Sequence, residues 1–415
     1  MGAKNFSTVD RRTFLQLGLF ATASAALAAC GGEKRGSNTD TNGRVRLTVW
    51  GPQEDQSNKM GRWLQTECET FAAAHPEWDL AFKYGVMSEG DASQALVSDP
   101  SAGADVYLFS NNQIPELVKA IAIAELGGTR VDAIKAANTE SCVNTVTYEG
   151  GIYGVPFTGN TWFMYYDKSV FTPEDILSLD AMLTKAKVAF PLENSWYLAA
   201  FYVAGGCTLF GPDGDDEEAG IDFGGDKAVA VTNYLVDLVR NPNFANGDVG
   251  DNPGAKAFFS GSWDFEKAHD AYGDNLGIAA APSINLGGEM RQLKAFAGSK
   301  VIGCNPSTEN YRKHPEIVVE LAMHLGGAEA QRRHYELRDI IPSDVNVAVD
   351  DELARAQMDA MDYASIVQPL QPNMSNYWVP ADSMGQELVV RTVTHENAEA
   401  KTMAMNKAFN SFVTD

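Results

Sequence analysis

Two tryptophans stand at positions where a buried tryptophan would be unusual. Trp263 follows a Gly-Ser turn directly after the apolar segment 257–259, which places it at the end of a strand. Trp378 lies in a polar segment between Asn376 and Pro380, which favours a loop. Flat aromatic rings can stack on the apolar face of a ligand. Both residues are therefore candidates for contact with a ligand.

Motifs that would support catalysis or metal binding are absent from the sequence. It contains no Gly-x-Ser-x-Gly, no His-Glu-x-x-His and no phosphate-binding loop. His314, His324 and His334 are ten residues apart, which is not a metal-ligand spacing. The acidic stretch 213–218 lacks the regular ligand spacing and terminal Glu of an EF-hand, so we expect a solvated loop. We therefore predict no catalytic residue, no metal and no cofactor.

The N-terminus has the pattern of an export signal. Positive residues are followed by an apolar run from Phe14 to Ala29, which is short for a membrane span and typical of a signal peptide. The segment 27–30 (Leu-Ala-Ala-Cys) resembles a bacterial lipobox, which implies acylation of Cys30. Residues 10–15 resemble a twin-arginine motif. We predict a signal peptide over 1–29 and a lipid-anchored flexible tether over 30–43.

Composition limits the remaining possibilities. The chain of 415 residues is long enough for two domains. Its net charge of −23 disfavours binding to nucleic acid, because the phosphates would be repelled. Four cysteines besides Cys30 show no Cys-x-x-Cys pairing, and spacing alone does not decide whether they are bridged; we expect mostly free, buried thiols at Cys68, Cys142, Cys207 and Cys304.

The elements that would position the tryptophans follow from hydrophobic periodicity. The first third of the chain predicts alternating strands and helices, which indicates a layered α/β domain with a largely parallel sheet. The turn-rich segment 150–156 is followed by an apolar strand over 162–166, and we place a first crossing between domains near 157–160. Segment 295–305 predicts a strand that returns to the first domain.

Several blocks resemble family 1 extracellular solute-binding proteins, and among them the maltose and maltodextrin binders. The segment 148–156 (YEGGIYGVP), followed by 165–168 (YYDK), is similar to the block around the family's hinge. Segments 260–263 (SGSW) and 275–282 (NLGIAAAP) resemble a second block. Segment 369–378 (PLQPNMSNYW) looks like a block of the maltose binders, and it is the one that narrows the ligand to malto-oligosaccharides.

This resemblance implies an α/β fold of two lobes, each a sheet flanked by helices, joined by a hinge. It assigns 44–158 plus 295–343 to the N-terminal lobe and 159–294 plus 344–415 to the C-terminal lobe. It also implies a monomer that closes on sugar by hinge motion and docks on the permease subunits of an ABC transporter. Together with Cys30, it predicts a lipid-anchored protein on the extracellular face of a bacterial cell membrane.

The resemblance also assigns ligand contacts. Aromatic rings would stack on the sugar, and planar polar groups would bind its hydroxyls. Asn112, Gln113 and Asn160 depart from the charged residues of the maltose binders, which leaves the exact sugar open. The expected ligand-binding residues are Trp263, Trp378, Trp196, Phe109, Tyr377, Asn112, Gln113, Asn160, Glu193, Glu54 and Asp55.

Two alternatives remain open at this point. The same fold could bind a different oligosaccharide or a sugar alcohol. A lipid-anchored glycoside hydrolase needs only two suitably placed carboxylates, and a chain with 55 acidic residues does not exclude these by counting. Hydrolysis of a glycan on long incubation would favour the enzyme, and recovery of intact sugar would favour the binder.

Overall fold

The structure is a computed structural model that describes residues 44–338, 340–349 and 351–411. The predicted signal peptide and the whole predicted tether, including Cys30, lie outside these residues. Within the described ranges, no helix is both long enough and apolar enough to cross a membrane.

Eighteen strands and sixteen α-helices make up the described part of the chain. The strands are β1 (Val45–Gly51), β2 (Leu80–Val86), β3 (Val106–Ser110), β4 (Glu125–Leu126), β5 (Thr147–Tyr148), β6 (Gly151–Tyr153), β7 (Val155–Asn160), β8 (Phe163–Asp167), β9 (Val188–Phe190), β10 (Thr208–Leu209), β11 (Ile221–Asp222), β12 (Phe244–Asn246), β13 (Ala257–Ser260), β14 (Leu276–Ala279), β15 (Ser283–Leu286), β16 (Glu289–Gln292), β17 (Ala295–Cys304) and β18 (Ser365–Val367). The helices are α1 (Gln53–Gln56), α2 (Trp63–Ala74), α3 (Ala92–Ser98), α4 (Ile114–Lys119), α5 (Thr129–Ala137), α6 (Glu140–Asn144), α7 (Leu179–Lys185), α8 (Ser195–Ala204), α9 (Gly225–Leu238), α10 (Phe265–Tyr272), α11 (Glu309–Lys313), α12 (Pro315–Leu325), α13 (Ala328–Arg338), α14 (Glu352–Asp362), α15 (Trp378–Val389) and α16 (Ala398–Phe409).

The first lobe is built on the sheet β18-β17-β3-β1-β2, with β7 also paired to β17. Strand β1 pairs in parallel with β2 and with β3, which confirms the largely parallel arrangement expected for this region. Strand β17 runs antiparallel to β3 and β7. Apolar faces of α2, α3, α4 and α12 join these strands in one core.

The second lobe is built on the sheet β12-β9-β13-β8-β14, and helices cover both of its faces. Strand β8 shows why two cores form. Its even residues, Met164 and Tyr166, pack with α8, α9, α15 and α16, whereas Phe163 and Tyr165 pack with α10 and α14. Alternate residues of a strand point to opposite faces of a sheet, so an apolar strand serves both cores. The fold is thus mixed α/β and two-lobed, as expected from the sequence.

Several segments of the described chain pass between the lobes, and three of them lie in or beside strands of the two sheets. The chain leaves the first sheet at Asn160 and enters the second at Phe163. The first two residues of strand β17, Ala295 and Phe296, lie in the core of the second lobe, and its last residues lie in the core of the first. The segment after β18 places Leu370 in the core of the first lobe before the chain returns to the second. These shared strands tie the lobes together without a long linker.

Most predicted elements match the structure within a few residues, but the surroundings of Trp378 differ. The polar segment was expected to be a loop, and that expectation is wrong, because Trp378 begins helix α15. Pro380 falls in the first turn of this helix, where a missing backbone N–H breaks no intrahelical hydrogen bond.

The prediction of free, buried thiols is confirmed for all four cysteines of the described part.

Candidate functional site

The ends of strands from both lobes meet at the first crossing. Asn160, the last residue of β7, pairs with Gly298, and Phe163, the first residue of β8, pairs with Ser260 at the end of β13. Only two residues separate Asn160 from Phe163. The loops that follow β1 and β3 in one lobe and β9 and β13 in the other therefore form two walls that flank this link. Such an edge is the usual ligand position in open α/β sheets.

Two half-exposed tryptophans form an aromatic platform on the wall of the second lobe. Trp196 lies in the first turn of α8, and Trp378 is the first residue of α15. Their ring centroids are 6.5 Å apart and their planes differ by 23°. The ring of Phe296 lies 5.4 Å from Trp196 and 6.0 Å from Trp378. The three rings form one aromatic cluster, and the exposed parts of the two indoles can stack on the C–H face of a pyranose.

Hydrogen bonds at the helix starts hold this platform in place. The side chain of Asn194 caps α8 by accepting the backbone N–H of Trp196 at 2.9 Å. Asp382 of α15 accepts the backbone N–H of Ser195 at 2.7 Å, which joins the starts of the two helices. Fixed helix starts of this kind restrict the positions available to the tryptophans.

Trp263 lies just after the end of β13, as predicted, in a 3-10 helix of one turn, Ser262–Asp264. Its side chain is 56% exposed. A Cβ atom at Gly261 would come within 2.0 Å of its ring, so the ring lies directly over the glycine. Only glycine leaves room for this close approach.

Charged groups fix the turn that carries Trp263. Lys267 bridges Asp264 at 2.8 Å and Asp248 at 2.7 Å, and Ser260 donates to Asp264 at 2.6 Å. Burial alone would raise the pKa of Asp248, but hydrogen bonds from Lys267 and from the backbone hold that pKa below its usual value. The turn is therefore held by ionised groups at neutral pH.

Four of the predicted polar contacts remain available to a ligand. Glu54, in α1 after β1, and Asn112, in the turn after β3, have exposed side chains on the wall of the first lobe. Asn160 is half-buried at the crossing itself. Glu193 is exposed just before α8, and its backbone N–H donates to Asn246 at 3.4 Å. Amides and carboxylates of this kind can bind sugar hydroxyls.

Two of the predicted aromatic contacts have fully buried side chains. Phe109 is fully buried in the core of the first lobe, next to Tyr107, because β3 is a central strand covered on both faces. Tyr377 is fully buried below Trp378, and its hydroxyl donates to the backbone oxygen of Ser195 at 2.8 Å. Burial raises the pKa of Tyr377 well above its usual value. Tyr377 supports the platform and has no surface to offer a ligand.

Two of the predicted polar contacts are also buried. Asp55 is buried and accepts hydrogen bonds from His334 at 2.8 Å and from Arg338. Gln113 is buried, accepts the backbone N–H of Ser93 at 2.9 Å and donates to backbone oxygens of the turn after β2. A buried polar group must be satisfied within the protein, and these two side chains shape the wall from inside.

Sequence reasoning missed Phe296, which supports both tryptophans of the platform. The sequence identifies only an apolar strand over 295–305, and the contact depends on how that strand crosses between the lobes.

A groove of about 740 Å³ at the junction of the lobes is distinct from the site. It is lined by residues of 144–149, 203–215 and 366–371 together with Lys294, and it contains none of the predicted ligand residues.

Carboxylates, histidines and cysteines offer no metal centre in the described ranges, where no three of them come together in a suitable cluster. The acidic stretch 213–218 forms turns, with Asp213, Asp215 and Asp216 exposed. Burial raises the pKa of the thiols of Cys142, Cys207 and Cys304 to about 12. Thiols with so high a pKa are poor nucleophiles at neutral pH.

Comparison with known proteins decides the family. The family model described as bacterial extracellular solute-binding protein matches residues 68–360. The chain belongs to this family. The family is described as extracellular, and its structural neighbours have the same two-lobed mixed α/β fold.

Three relatives show what the chain is similar to. A solved structure determined with acarbose is 46% identical, with a TM-score of 0.78, and the match covers 89% of this chain and 99% of that one. A maltodextrin-binding protein from L. casei BL23, solved without ligand, is 20% identical with a TM-score of 0.80 over 89% and 100% of the two chains. The maltotriose-binding protein of Pyrococcus abyssi is 21% identical over 312 residues, 68% of this chain and 66% of that relative's length.

Proposed function

We propose that this solute-binding protein captures malto-oligosaccharides between its two lobes and delivers them to an ABC transporter. The observation that carries the proposal is the platform of Trp196 and Trp378, which lies on the same wall as the exposed ring of Trp263. Trp263 is exposed and Trp196 and Trp378 are partly buried, so the three indole rings together offer more stacking surface than a small polar solute needs. Exposed amides and carboxylates on the two walls would bind the sugar hydroxyls.

The relatives support an α-glucan as the ligand. Acarbose and maltodextrins are oligosaccharides, and the solved structure with acarbose shares nearly half of its residues with this chain. The named relatives are binding proteins, which supports a binding protein over a hydrolase. A different oligosaccharide in the same cleft is the alternative, because Asn112 and Asn160 are amides where the maltose binders carry charges.

The lobes would act as two bodies that close on the sugar. We propose the units expected from the sequence, 44–158 plus 295–343 and 159–294 plus 344–415, with strands β17 and β18 and the link after Asn160 as the hinge. Closure would bring the walls together and present a surface to the permease subunits. The lipobox at Cys30 would anchor this monomer on the extracellular face of the membrane.

A calorimetric titration tests this function. Residues 31–415, without the acylated cysteine, are titrated with maltotriose and with cellotriose, which has the same glucose units in β-linkage. We expect a one-site isotherm for maltotriose with a Kd in the micromolar range or tighter, at least about 8 kcal/mol of binding free energy. We expect cellotriose to bind at least about tenfold more weakly, and the maltotriose to be recovered intact. Absence of binding to any α-glucan would refute the proposal that the ligand is a malto-oligosaccharide. Cleavage of the sugar would refute the assignment as a binding protein.

A further inference from the structure

Lys300 places a positive charge beside the wall of the first lobe. It lies in β17 opposite Ser110, the last residue of β3. Its ammonium donates to the Ser110 hydroxyl at 3.1 Å, and the side chain is half-buried. Among the residues that the structure describes, no carboxylate forms an ion pair with Lys300. Sequence analysis gave this residue no role.

Lys300 lies on the strand that also carries Phe296 of the aromatic platform. Alternate residues of a strand share a face, so Lys300 and Phe296 belong to the same face of β17. The ring of Phe296 contacts both Trp196 and Trp378. Four residues of strand span about 13 Å, and between them Gly298 is covered by the side-chain oxygen of Asn111. Strand β17 therefore connects the platform to the position of the ammonium.

The position of Ser110 connects Lys300 to the loops of the first lobe. The backbone N–H of Ser110 donates to the backbone oxygen of Glu89 at 3.0 Å, in the turn after β2. Asn112 is exposed two residues further along the chain, and Asn160 pairs with Gly298 at the crossing. The ammonium is thus next to the loop ends that form the wall of the first lobe.

An ammonium has three donors and no acceptor, and Ser110 uses one of them. A half-buried charge is costly unless hydrogen-bonded partners replace the lost water. Hydroxyl and ring oxygens of a pyranose are such acceptors. We propose that Lys300 is a ligand-binding residue whose ammonium donates to oxygens of the sugar unit that lies against the first lobe. The inference rests on the proposed sugar-binding function and adds a residue to it.

The test compares Lys300→Met, Lys300→Arg and wild type, with Lys83→Met as the matched control. Lys83 is exposed in the edge strand β2 of the same lobe. Wild type is first screened by thermal shift against neutral oligosaccharides that include maltotriose, and the Kd of the best ligand is then measured for each variant. Melting temperatures without ligand show whether each variant is folded.

Loss of a charged hydrogen bond predicts a Kd raised about 10- to 100-fold in Lys300→Met. We expect Lys300→Arg, which keeps charged donors, to recover at least part of this loss, and Lys83→Met to bind like wild type. A folded Lys300→Met variant that binds within about twofold of a binding wild type would overturn the role of Lys300 alone. A wild type that binds none of the oligosaccharides would overturn the proposed function and this role together.

Discussion

Replacement of Trp263 by alanine separates ligand binding from stability more cleanly than any other change at the site. The side chain is 56% exposed, so little of it contributes to the core. It rests on Gly261 and on no other aromatic ring among the described contacts. We therefore expect the free energy of unfolding to change by less than about 1 kcal/mol, the usual range for a largely exposed residue.

The loss of binding can be estimated from the exposed area. A tryptophan side chain presents up to about 250 Å², of which 56% is free here, or about 140 Å². A sugar that covers one face of the ring removes about half of that area from water. At about 25 cal/mol per Å² this is close to 2 kcal/mol, or roughly a 20-fold increase in Kd.

The assay is calorimetric titration of wild type and Trp263→Ala with the same oligosaccharide, with urea unfolding of both proteins. Tyr363→Ala is the control, because Tyr363 is 52% exposed but lies at the end of α14, outside both walls. The reasoning predicts that only the Trp263 variant loses affinity. It is refuted if Trp263→Ala binds within twofold of wild type, or if both variants weaken binding equally.

Three further predictions follow from the buried groups of the structure. Glu67 is buried. Burial would raise the pKa of its carboxyl group, but hydrogen bonds from Arg333 and His324 lower that pKa below its usual value. The ionised carboxylate therefore contributes its full stability above the unfolded pKa of about 4.3, and this contribution is lost as the pH falls through the lower folded pKa. Glu67→Gln should cost about 3 kcal/mol at pH 7 and reduce the loss of stability below pH 4.3, measured by urea unfolding across pH; an unchanged pH profile would contradict this. Asp382→Ala removes the acceptor for the Ser195 N–H and should lower the free energy of unfolding by about 1 kcal/mol and weaken sugar binding, whereas unchanged unfolding would show that this hydrogen bond does not hold the platform. The four buried thiols should resist a thiol reagent in the native protein 31–415 and all react in denaturant, and a lower count in denaturant would reveal a disulfide.

Adjacent residues show how far sequence reasoning could locate the site. Glu54 and Asp55 were both expected on the wall, as were Asn112 and Gln113. In each pair the first side chain is exposed and the second is buried. Successive residues in a turn point in different directions, and the resemblance to the maltose binders gives a position in the chain but no side-chain direction.

Contacts between distant parts of the chain explain the remaining differences. Asp55 is satisfied by His334, 279 residues away in sequence, and no local pattern predicts that pair. Phe296 and Lys300 owe their places to the crossing of β17 between the lobes, which depends on strand order. Trp196 and Trp378, in contrast, were both identified as candidates from the sequence. Asn194 marks the start of the helix that carries Trp196, whereas no side chain caps the helix that begins at Trp378.

A crystal structure of residues 31–415 with maltotriose would test the central claim most directly. The account predicts that the sugar lies between the lobes, with glucose rings against Trp263 and against the platform of Trp196 and Trp378. It also predicts that the polar face of the sugar is directed toward Asn112 and Asn160. A sugar bound in the groove near Tyr148 and Asp213, or one that leaves all three indole rings free, would contradict the account.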